Sequence, residues 1–124
     1  MATYLSLVMP ILNEATVIHS RLQQLQALRQ RGHEIILVDG GSSDQTPALA
    51  AGLADKILLN PAGRALQMNR GAAAATGEVL LFLHADTELP PHCDRLIKEA
   101  LGDEAGWGRF NVQLSGDRLI FRII

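Results

Sequence analysis

The stretch EIILVDGGSSD, residues 34–44, joins a short apolar segment to a polar turn. After Glu34 the segment is apolar at every position up to Val38. A strand that is apolar on both faces is normally covered on both faces, as the strands of parallel sheets are. The glycines, serines and aspartates that follow are typical of a loop. Residues 34–38 therefore predict a buried strand of a parallel sheet, with a polar loop at its carboxyl end.

Similar apolar runs alternate with helical spacings along the rest of the chain. Further strands are predicted at residues 5–9, 56–59, 79–83 and 107–114, and a last apolar segment at 119–124. Helices are predicted at residues 17–28, 44–52, 63–76 and 90–101. Strands and helices that alternate with short connections indicate right-handed βαβ units. The predicted fold class is α/β, a Rossmann-like three-layer sandwich with a mostly parallel sheet.

Several residue types mark the predicted ends of these elements. Pro10 is expected to stop the first strand, because proline has no N–H to donate to a ladder. Asn13 and Asp44 are candidate N-caps of the first two helices. Gly32 and Gly77 are candidate helix ends.

The composition excludes several classes of protein. The chain has 124 residues, 48% of them hydrophobic, and a formal net charge of −2, so we expect one folded domain without the basic field that nucleic-acid polymers require. Cys93 is the only cysteine, which forbids an intrachain disulfide and suits a reducing compartment. No apolar run approaches the roughly 18 residues of a membrane span, and the N-terminus lacks the order of a signal peptide. A cytoplasmic protein is expected.

Four of the predicted loops should meet at one edge of the sheet, because the carboxyl ends of parallel strands lie together. A nucleotide diphosphate with a divalent cation fits their mixture of side chains, since the cation bridges carboxylate and phosphate oxygens and an arginine pairs with the remaining phosphate charge. The loop residues in question are Asn13, Glu14, Asp39, Gly40, Gly41, Arg64, His84 and Asp86.

Other kinds of phosphate site are excluded by the sequence. A dinucleotide site needs G-x-G-x-x-G after the first strand, and residues 10–17 contain no glycine. No G-x-x-x-x-G-K-[ST] occurs, which excludes a P-loop. An aspartyl-phosphate phosphatase is excluded because His84 stands at the position of its nucleophilic aspartate, two residues before Asp86.

Three motifs resemble those of the family-two glycosyltransferases, which have the GT-A fold and use nucleotide-diphosphate sugars. They are VMPILNE at residues 8–14, ILVDGGSSD at 36–44 and GEVLLFLHAD at 77–86. A fourth stretch, GRALQMNRG at residues 63–71, together with the later His-Ala-Asp-Thr, is similar to a smaller bacterial branch. Some members of that branch are labelled arsenosugar-biosynthesis glycosyltransferases. The resemblance implies that residues 1–124 form a nucleotide-diphospho-sugar-binding domain.

The resemblance implies roles for individual positions. Asp86 matches the last acid of the family's D-x-D motif, which holds Mg²⁺ or Mn²⁺ against the diphosphate. Asp39 matches the first acid of the V-D-D-G-S-x-D motif. The remaining residues implied to bind the nucleotide sugar are Pro10, Leu12 and Glu14 around the base and ribose, with Gly41, Arg64, His84 and Ala85.

Three positions depart from the family pattern. Gly40 replaces the second acid of the strand-two pair, so a carboxylate contact to the base and the identity of that base stay open. His84 replaces the first acid of D-x-D, which leaves one negative charge fewer for a hard cation. Met68 stands where the family often has an arginine before the asparagine aligned with Asn69, so the phosphate role is given to Arg64.

The family's reaction usually inverts the anomeric carbon, with a carboxylate that takes the acceptor's proton while the metal stabilises the leaving diphosphate. By resemblance that base is expected beyond Ile124, so no catalytic residue is assigned within this chain. We interpret the chain as the donor-binding part of a longer enzyme, truncated at its C-terminal end. Any association with the inner face of a membrane would come from the missing residues. The sugar, the acceptor and the oligomeric state are left open.

Structural roles compete with these assignments. Asp39 and Asp44 also suit a turn and a cap, Asp86 suits a turn before the prolines, and Arg64 suits an exposed helix start. His84 fits a polar strand end better than a metal ligand. Two other functions stay open for the whole chain. A nucleotidyltransferase would need a glycine-rich basic loop after the first strand, and a non-catalytic nucleotide-sugar-binding module would bind the donor without transferring it.

Overall fold

The structure is a computed structural model that describes residues 4–90, 92–101, 108–114 and 117–123. Its strands are β1 (Leu5–Ile11), β2 (Glu34–Asp39), β3 (Lys56–Leu59), β4 (Val79–Phe82), β5 (Gly108–Leu114) and β6 (Asp117–Ile123). Its helices are α1 (Ile18–Gln30), α2 (Thr46–Ala50), α3 (Arg64–Ala74) and α4 (Cys93–Leu101). Three residues used in the predictions lie outside the described ranges: Pro91, Trp107 and Ile124.

The strands form one sheet in the order β3-β2-β1-β4-β6-β5. The four strands from β3 to β4 are parallel to one another, whereas β6 is antiparallel to both β4 and β5. The predicted α/β fold with a mostly parallel sheet is therefore confirmed. Asp39 pairs with Ile11 on one side and with Leu59 on the other, so the ends of β1, β2 and β3 lie side by side.

Loops meet at two opposite edges of the sheet. The carboxyl edge comprises the strand ends and loops of residues 10–16, 39–46, 59–64 and 83–87. The amino edge comprises the strand starts and loops of residues 4–6, 31–35, 55–56 and 74–79, with Asp94 of α4.

Helices cover both faces of the sheet. The main hydrophobic core lies between the sheet and α1, α2 and α4, which contribute buried side chains such as Leu22, Ala50 and Ile97. On the other face α3 packs through Ala72 against a second cluster that includes Val8. These contacts make the three layers that the alternating pattern predicted.

Helix α3 lies very close to the sheet at Gly71. A Cβ atom at this position would come within 2.3 Å of Val8 Cγ1 and 3.1 Å of Val38 Cγ2. Only glycine fits there without a shift of the helix. Ala72 and Ala75 also pack on the second cluster, so small side chains line the close contact between α3 and the sheet.

The predicted end of the first strand at Pro10 is wrong, because β1 continues to Ile11. The reason is the length of the neighbouring strand. Pairing of β1 with β4 ends at Val8 and Phe82, and Leu83 N–H donates to Val8 O at 3.0 Å. Beyond that bond no ladder on the β4 side requires an N–H from residue 10, so proline is tolerated.

Several helix boundaries also differ from the prediction, including the start of α4, which lies at Cys93 and not at residue 90. α1 begins at Ile18, its N-cap residue makes no side-chain hydrogen bond, and Asn13 has a positive φ of 53°. Asn13 does not cap α1, because its side chain binds a neighbouring loop instead. α2 is short and begins at Thr46. α3 ends at Ala74, before Gly77, because the backbone of Ala75 is extended.

The polar side chains of the amino edge are paired with one another. Glu34 is 8% exposed, and its Oε1 accepts hydrogen bonds from Ser6 Oγ at 2.8 Å and from Thr76 N–H at 3.0 Å. Its Oε2 lies 3.1 Å from Lys56 Nζ. Ser6 Oγ in turn accepts from Gly77 N–H at 2.8 Å. This network joins β1, β2, β3 and the segment that leads into β4.

A second polar cluster attaches α4 to the amino edge. Asp94 accepts hydrogen bonds from Arg31 Nε and Nη2, both at 2.9 Å, and its Oδ2 lies 2.9 Å from His33 Nε2. Leu5 N–H donates to His33 Nδ1 at 3.2 Å, which places the ring proton of a neutral His33 on Nε2, facing Asp94. Burial raises the pKa of the neighbouring Cys93 thiol to about 11, so it stays protonated.

Candidate functional site

Two loops of the carboxyl edge, after β1 and after β2, are held together by hydrogen bonds. Asn13 N–H donates to Ser42 Oγ at 2.9 Å, and Ser43 N–H donates to Asn13 Oδ1 at 2.8 Å. Glu14 N–H donates to Thr46 Oγ1 at 2.8 Å. The positive φ of Asn13 turns its side chain into this contact, because asparagine tolerates the left-handed region. The two loops therefore form one unit.

Asp39 lies at the end of β2 and is 5% exposed. Its carboxylate accepts Ser42 N–H at 3.2 Å and Ser42 Oγ–H at 2.5 Å. Its carbonyl oxygen accepts Asn60 N–H at 3.0 Å. Asp39 thus holds the turn, which is the structural role considered for it in the sequence analysis. Its contact with a donor stays a prediction.

Asp44 stabilises the same pair of loops. It accepts Thr46 N–H at 2.9 Å and the Thr46 hydroxyl on Oδ1, and Ala15 N–H at 3.2 Å on Oδ2. The Thr46 hydroxyl, followed by these backbone donors, holds the pKa of Asp44 below its usual value. Asp44 therefore acts as a local acceptor at the start of α2, close to its predicted capping role, although Gln45 occupies the N-cap position itself.

A third loop is attached to these two by Gln67, which the sequence reasoning did not single out. The side chain of Gln67 is buried, and its Nε2 donates to Val38 O at 2.8 Å and to Ile11 O at 3.1 Å. Its Oε1 accepts Gly63 N–H at 3.1 Å. One signal for this role was present in the sequence, since Gln67 and Gly71 are one helical turn apart on the buried face of α3.

Gly40 and Gly41 are glycines for different reasons. A Cβ at position 40 would lie 3.1 Å from both Gln67 Nε2 and Oε1 and 3.2 Å from Ala62 Cα. Gly41 has an open surrounding but a φ of 98°, which L residues rarely adopt. The family has its second acid where this chain has Gly40. The space that a side chain at position 40 would need is occupied by Gln67.

The fourth loop follows β4 and contains His84, Ala85 and Asp86. Thr87 N–H donates to His84 O at 3.0 Å, and Arg21 Nε donates to Ala85 O at 2.8 Å. Ala85 is 1% exposed and belongs to the main core, so it anchors the loop from inside. Asp86 is exposed and His84 is half-buried.

The charged groups of three loops interact at this edge. Burial raises the pKa of Glu14, and the negative charges of Asp86 and Asp44 raise it further, whereas His84 acts in the opposite direction. Within the described part of the chain, no ion pair neutralises Glu14, Asp44 or Asp86. The structure therefore brings the predicted acids of different loops within electrostatic reach of one another.

The other predicted contact residues lie around these groups. Pro10 is half-buried at the end of β1, and Leu12 is 43% exposed. Gly41 is exposed, and Arg64 is the exposed first residue of α3. No hydrogen bond or ion pair joins Arg64 to another described residue, so its guanidinium is available at the mouth of this edge.

The acids of the carboxyl edge do not form a complete metal cage. Among the described residues, no group of three or more histidine, cysteine, aspartate or glutamate side chains is arranged to hold a metal ion.

A comparison with protein families decides the classification. The family model described as "Glycosyl transferase family 2" matches residues 6–113. The chain belongs to glycosyl transferase family 2. This membership explains why the chain carries three sequence motifs of the family, each of which ends in a loop of the carboxyl edge.

Relatives from this family share part of the chain. A PGL/p-HBAD biosynthesis glycosyltransferase of Mycobacterium tuberculosis is 36% identical over 95 residues, which cover 71% of this chain and 37% of that protein. The putative glycosyltransferase EpsH of Bacillus subtilis is 31% identical over 106 residues, which cover 80% of this chain and 30% of that protein. This chain thus spans well under half the length of either relative.

Solved structures confirm the GT-A fold. The crystal structure of glucosyl-3-phosphoglycerate synthase from Mycobacterium tuberculosis with Mn²⁺, uridine diphosphate and phosphoglyceric acid has a TM-score of 0.70 to this chain at 24% identity. The match covers 86% of this chain and 42% of that one.

Among the described residues, no helix is long and apolar enough to cross a membrane. The assignment to the smaller bacterial branch stays a prediction.

Proposed function

We propose that this protein transfers a sugar from a nucleotide-diphosphate donor to the hydroxyl group of an acceptor, and that the described residues form the donor-binding part. The observation that carries the proposal is the meeting of Glu14, His84 and Asp86, from two separate loops, at the carboxyl edge. Ligands of open α/β sheets bind at this edge. The family membership supports a glycosyl transfer rather than another use of the same edge.

We assign the donor contacts by position around this edge. Pro10, Leu12 and Glu14 would line the base and ribose, with Asp39 and Gly41 beside them. Arg64 would pair with the diphosphate, because its exposed guanidinium offers several donors to phosphate oxygens. His84 would bond a donor hydroxyl or a water molecule, and Ala85 would hold the loop that presents it.

A divalent cation, Mg²⁺ or Mn²⁺, would bind to Asp86 and to the diphosphate. The donor set fits, because Asp86 is exposed and its charge is not neutralised by an ion pair within the described residues. When bound, such a cation stabilises the negative charge of the leaving diphosphate. The Mn²⁺ and uridine diphosphate in the solved mycobacterial synthase structure support the choice of these two as first probes.

The rest of the reaction belongs to the same proposal. We infer an inverting transfer in which a carboxylate takes the proton of the acceptor hydroxyl, and we assign that base to none of the described residues. Arg64 would hold the diphosphate of the donor while the acceptor approaches. A cytoplasmic location is proposed with it, supported by the single cysteine of the sequence, which is buried and protonated.

The test is thermal unfolding with uridine, guanosine, adenosine, cytidine and thymidine diphosphates, each with and without MnCl₂. We expect one nucleotide to raise the melting temperature only when Mn²⁺ is present. A ligand at about 100 times its Kd adds about 2.7 kcal/mol of stability. Asp86→Asn should remove this shift, and Glu78→Gln, which changes an exposed acid of the amino edge, should keep it. An intact protein that shows no shift with any nucleotide would contradict the proposal.

A further inference from the structure

The side chain of Gln67 is the point at which three strand-end loops of the carboxyl edge are joined. Its amide nitrogen donates to the carbonyl oxygens of Val38 in β2 and Ile11 in β1. Its amide oxygen accepts the N–H of Gly63, the residue before α3. The residues that follow these three positions are Asp39, Leu12 and Arg64, all of which we assign to the donor. A change of the amide would therefore move proposed donor contacts on three loops at once.

Gly40 completes this arrangement by leaving space for the amide. Its N–H donates to Ile11 O at 2.9 Å, the same oxygen that accepts from Gln67. A Cβ atom at position 40 would approach both polar atoms of the Gln67 amide to 3.1 Å, closer than side chains normally tolerate. No positive φ restricts Gly40 to glycine, so the contact with Gln67 and Ala62 is the restriction.

We propose that Gln67 is a positioning residue of the donor site, and that Gly40 is the partner that makes room for it. The inference rests on the proposed function, because it assigns to Gln67 the geometry of loops that would hold the donor. Gln67 itself is buried beneath these loops and acts through Asp39, Leu12 and Arg64. Two carbonyl oxygens and one N–H face its amide, so a side chain in this place must donate on one side and accept on the other.

The chain offers a matched control in Gln26 of α1. The Gln26 amide also bridges two carbonyl oxygens, those of Leu22 at 2.9 Å and Leu53 at 2.8 Å, and Gln26 is half-buried. It lies in the helical layer, however, and joins no strand-end loop of the carboxyl edge. Substitution of Gln26 should therefore lower stability as a structural amide does, without a change in donor affinity.

The experiment measures the Kd of the tightest of the five nucleoside diphosphates, with MnCl₂, at a temperature where each variant is folded by circular dichroism. Gln67→Met keeps the length of the side chain and removes its hydrogen bonds, and we expect about tenfold weaker binding, equivalent to about 1.4 kcal/mol. Gln26→Met should leave the Kd within about twofold of the original. Equal Kd values for Gln67→Met and the unsubstituted protein would overturn the inference.

Gln67→Glu adds a readout that a purely structural role would not move. The carboxyl group it introduces can donate only when protonated, and burial against two carbonyl oxygens raises its pKa. When protonated, this group restores one of the two hydrogen bonds that the amide donates. The nucleotide affinity of Gln67→Glu relative to the unsubstituted protein should therefore be closest to normal at about pH 5.5 and fall towards about pH 8, whereas the ratio for Gln26→Glu stays flat. A flat ratio for Gln67→Glu would also overturn the inference. If the unsubstituted protein binds none of the nucleotides, the proposed function fails, and the positioning role fails with it.

Discussion

Two acids at the amino edge of the sheet, Glu34 and Asp94, and one at its carboxyl edge, Glu14, have pKa values shifted in opposite directions. At the amino edge, burial alone would raise the pKa of Glu34, but hydrogen bonds from Thr76, Ser6 and Lys56 outweigh it and hold that pKa below its usual value. Arg31, through its hydrogen bonds, holds the pKa of Asp94 far below its usual range. Both acids are ionised and fully supplied with donors.

At the carboxyl edge, acids of neighbouring loops act on Glu14. The pKa of Glu14 is raised by burial and by the charges of Asp86 and Asp44. Arg64 is exposed, and the structure shows no ion pair between it and these acids within the described residues.

The difference separates Glu34 and Asp94, which are paired within the fold, from Glu14, which lies near like charges and which we assign to donor binding. A buried acid whose hydrogen bonds are all satisfied contributes to stability, whereas a cluster of like charges costs stability and is typical of functional sites. Substitution of Glu34 at the amino edge should therefore lower stability and leave nucleotide affinity unchanged. Substitution of Glu14 at the carboxyl edge should raise stability slightly and weaken nucleotide binding.

The largest effect is expected from Glu34→Leu at the amino edge. It leaves Ser6, Thr76 and Lys56 without their common acceptor, and breaking such a buried pair costs about 3 kcal/mol of the free energy of unfolding. Urea unfolding measures this loss, and Glu78→Leu, at an exposed acid, should change the value by less than about 0.5 kcal/mol. The nucleotide Kd of the folded Glu34→Leu protein should be unchanged. A loss as small as that of the control would show that the network does not hold the fold.

A smaller effect is expected in the pH dependence of stability. Because the folded-state pKa values of Glu34 and Asp94 are depressed, their contribution is present above the unfolded-state pKa values and is lost as the pH falls through the folded ones. The urea concentration at the unfolding midpoint should decrease as the pH is lowered below about 5. In Glu34→Gln and Asp94→Asn the midpoint should start lower and fall less steeply, whereas Glu78→Gln keeps the original slope. Identical slopes in all variants would contradict this assignment.

The smallest effect, of opposite sign, is expected from Glu14→Gln at the carboxyl edge. The folded-state pKa of Glu14 is raised, so its ionised form destabilises the fold as the pH rises through that value. Removal of the charge should raise the free energy of unfolding at neutral pH by about 0.3 kcal/mol, a figure kept small by solvent screening. The nucleotide Kd should increase at the same time. A Glu14→Gln protein that is less stable at neutral pH would break the comparison between the two edges.

The sequence predicted the strands well because their signal is local. The runs EIILV at residues 34–38 and VLLFL at 79–83 are apolar on both faces, and a strand of this kind needs a buried place in any fold. The carboxyl edge followed from the same reasoning, because parallel strands bring their ends together. Pro10 was misjudged because its tolerance depends on where β4 stops, which the first strand's own sequence does not contain.

The polar contacts could not be predicted, because each depends on partners far away in the chain. Ser6 and Glu34 are separated by 28 residues and Gln67 and Ile11 by 56. A buried polar residue is stable only beside donors and acceptors that the tertiary fold supplies. The predicted roles of Asp39 and Asp44 were open for the same reason, and the structure shows the hydrogen bonds by which both hold their loops.

The most direct test of the central claim is the broadening of amide NMR signals by Mn²⁺ added with the best-binding nucleoside diphosphate. The account predicts that broadening is strongest at residues 84–87 and around Glu14, and weakest at the amino edge around Gly77. Asp86→Asn should abolish the pattern. Broadening that is centred on the amino edge, or that is unchanged in Asp86→Asn, would contradict the account.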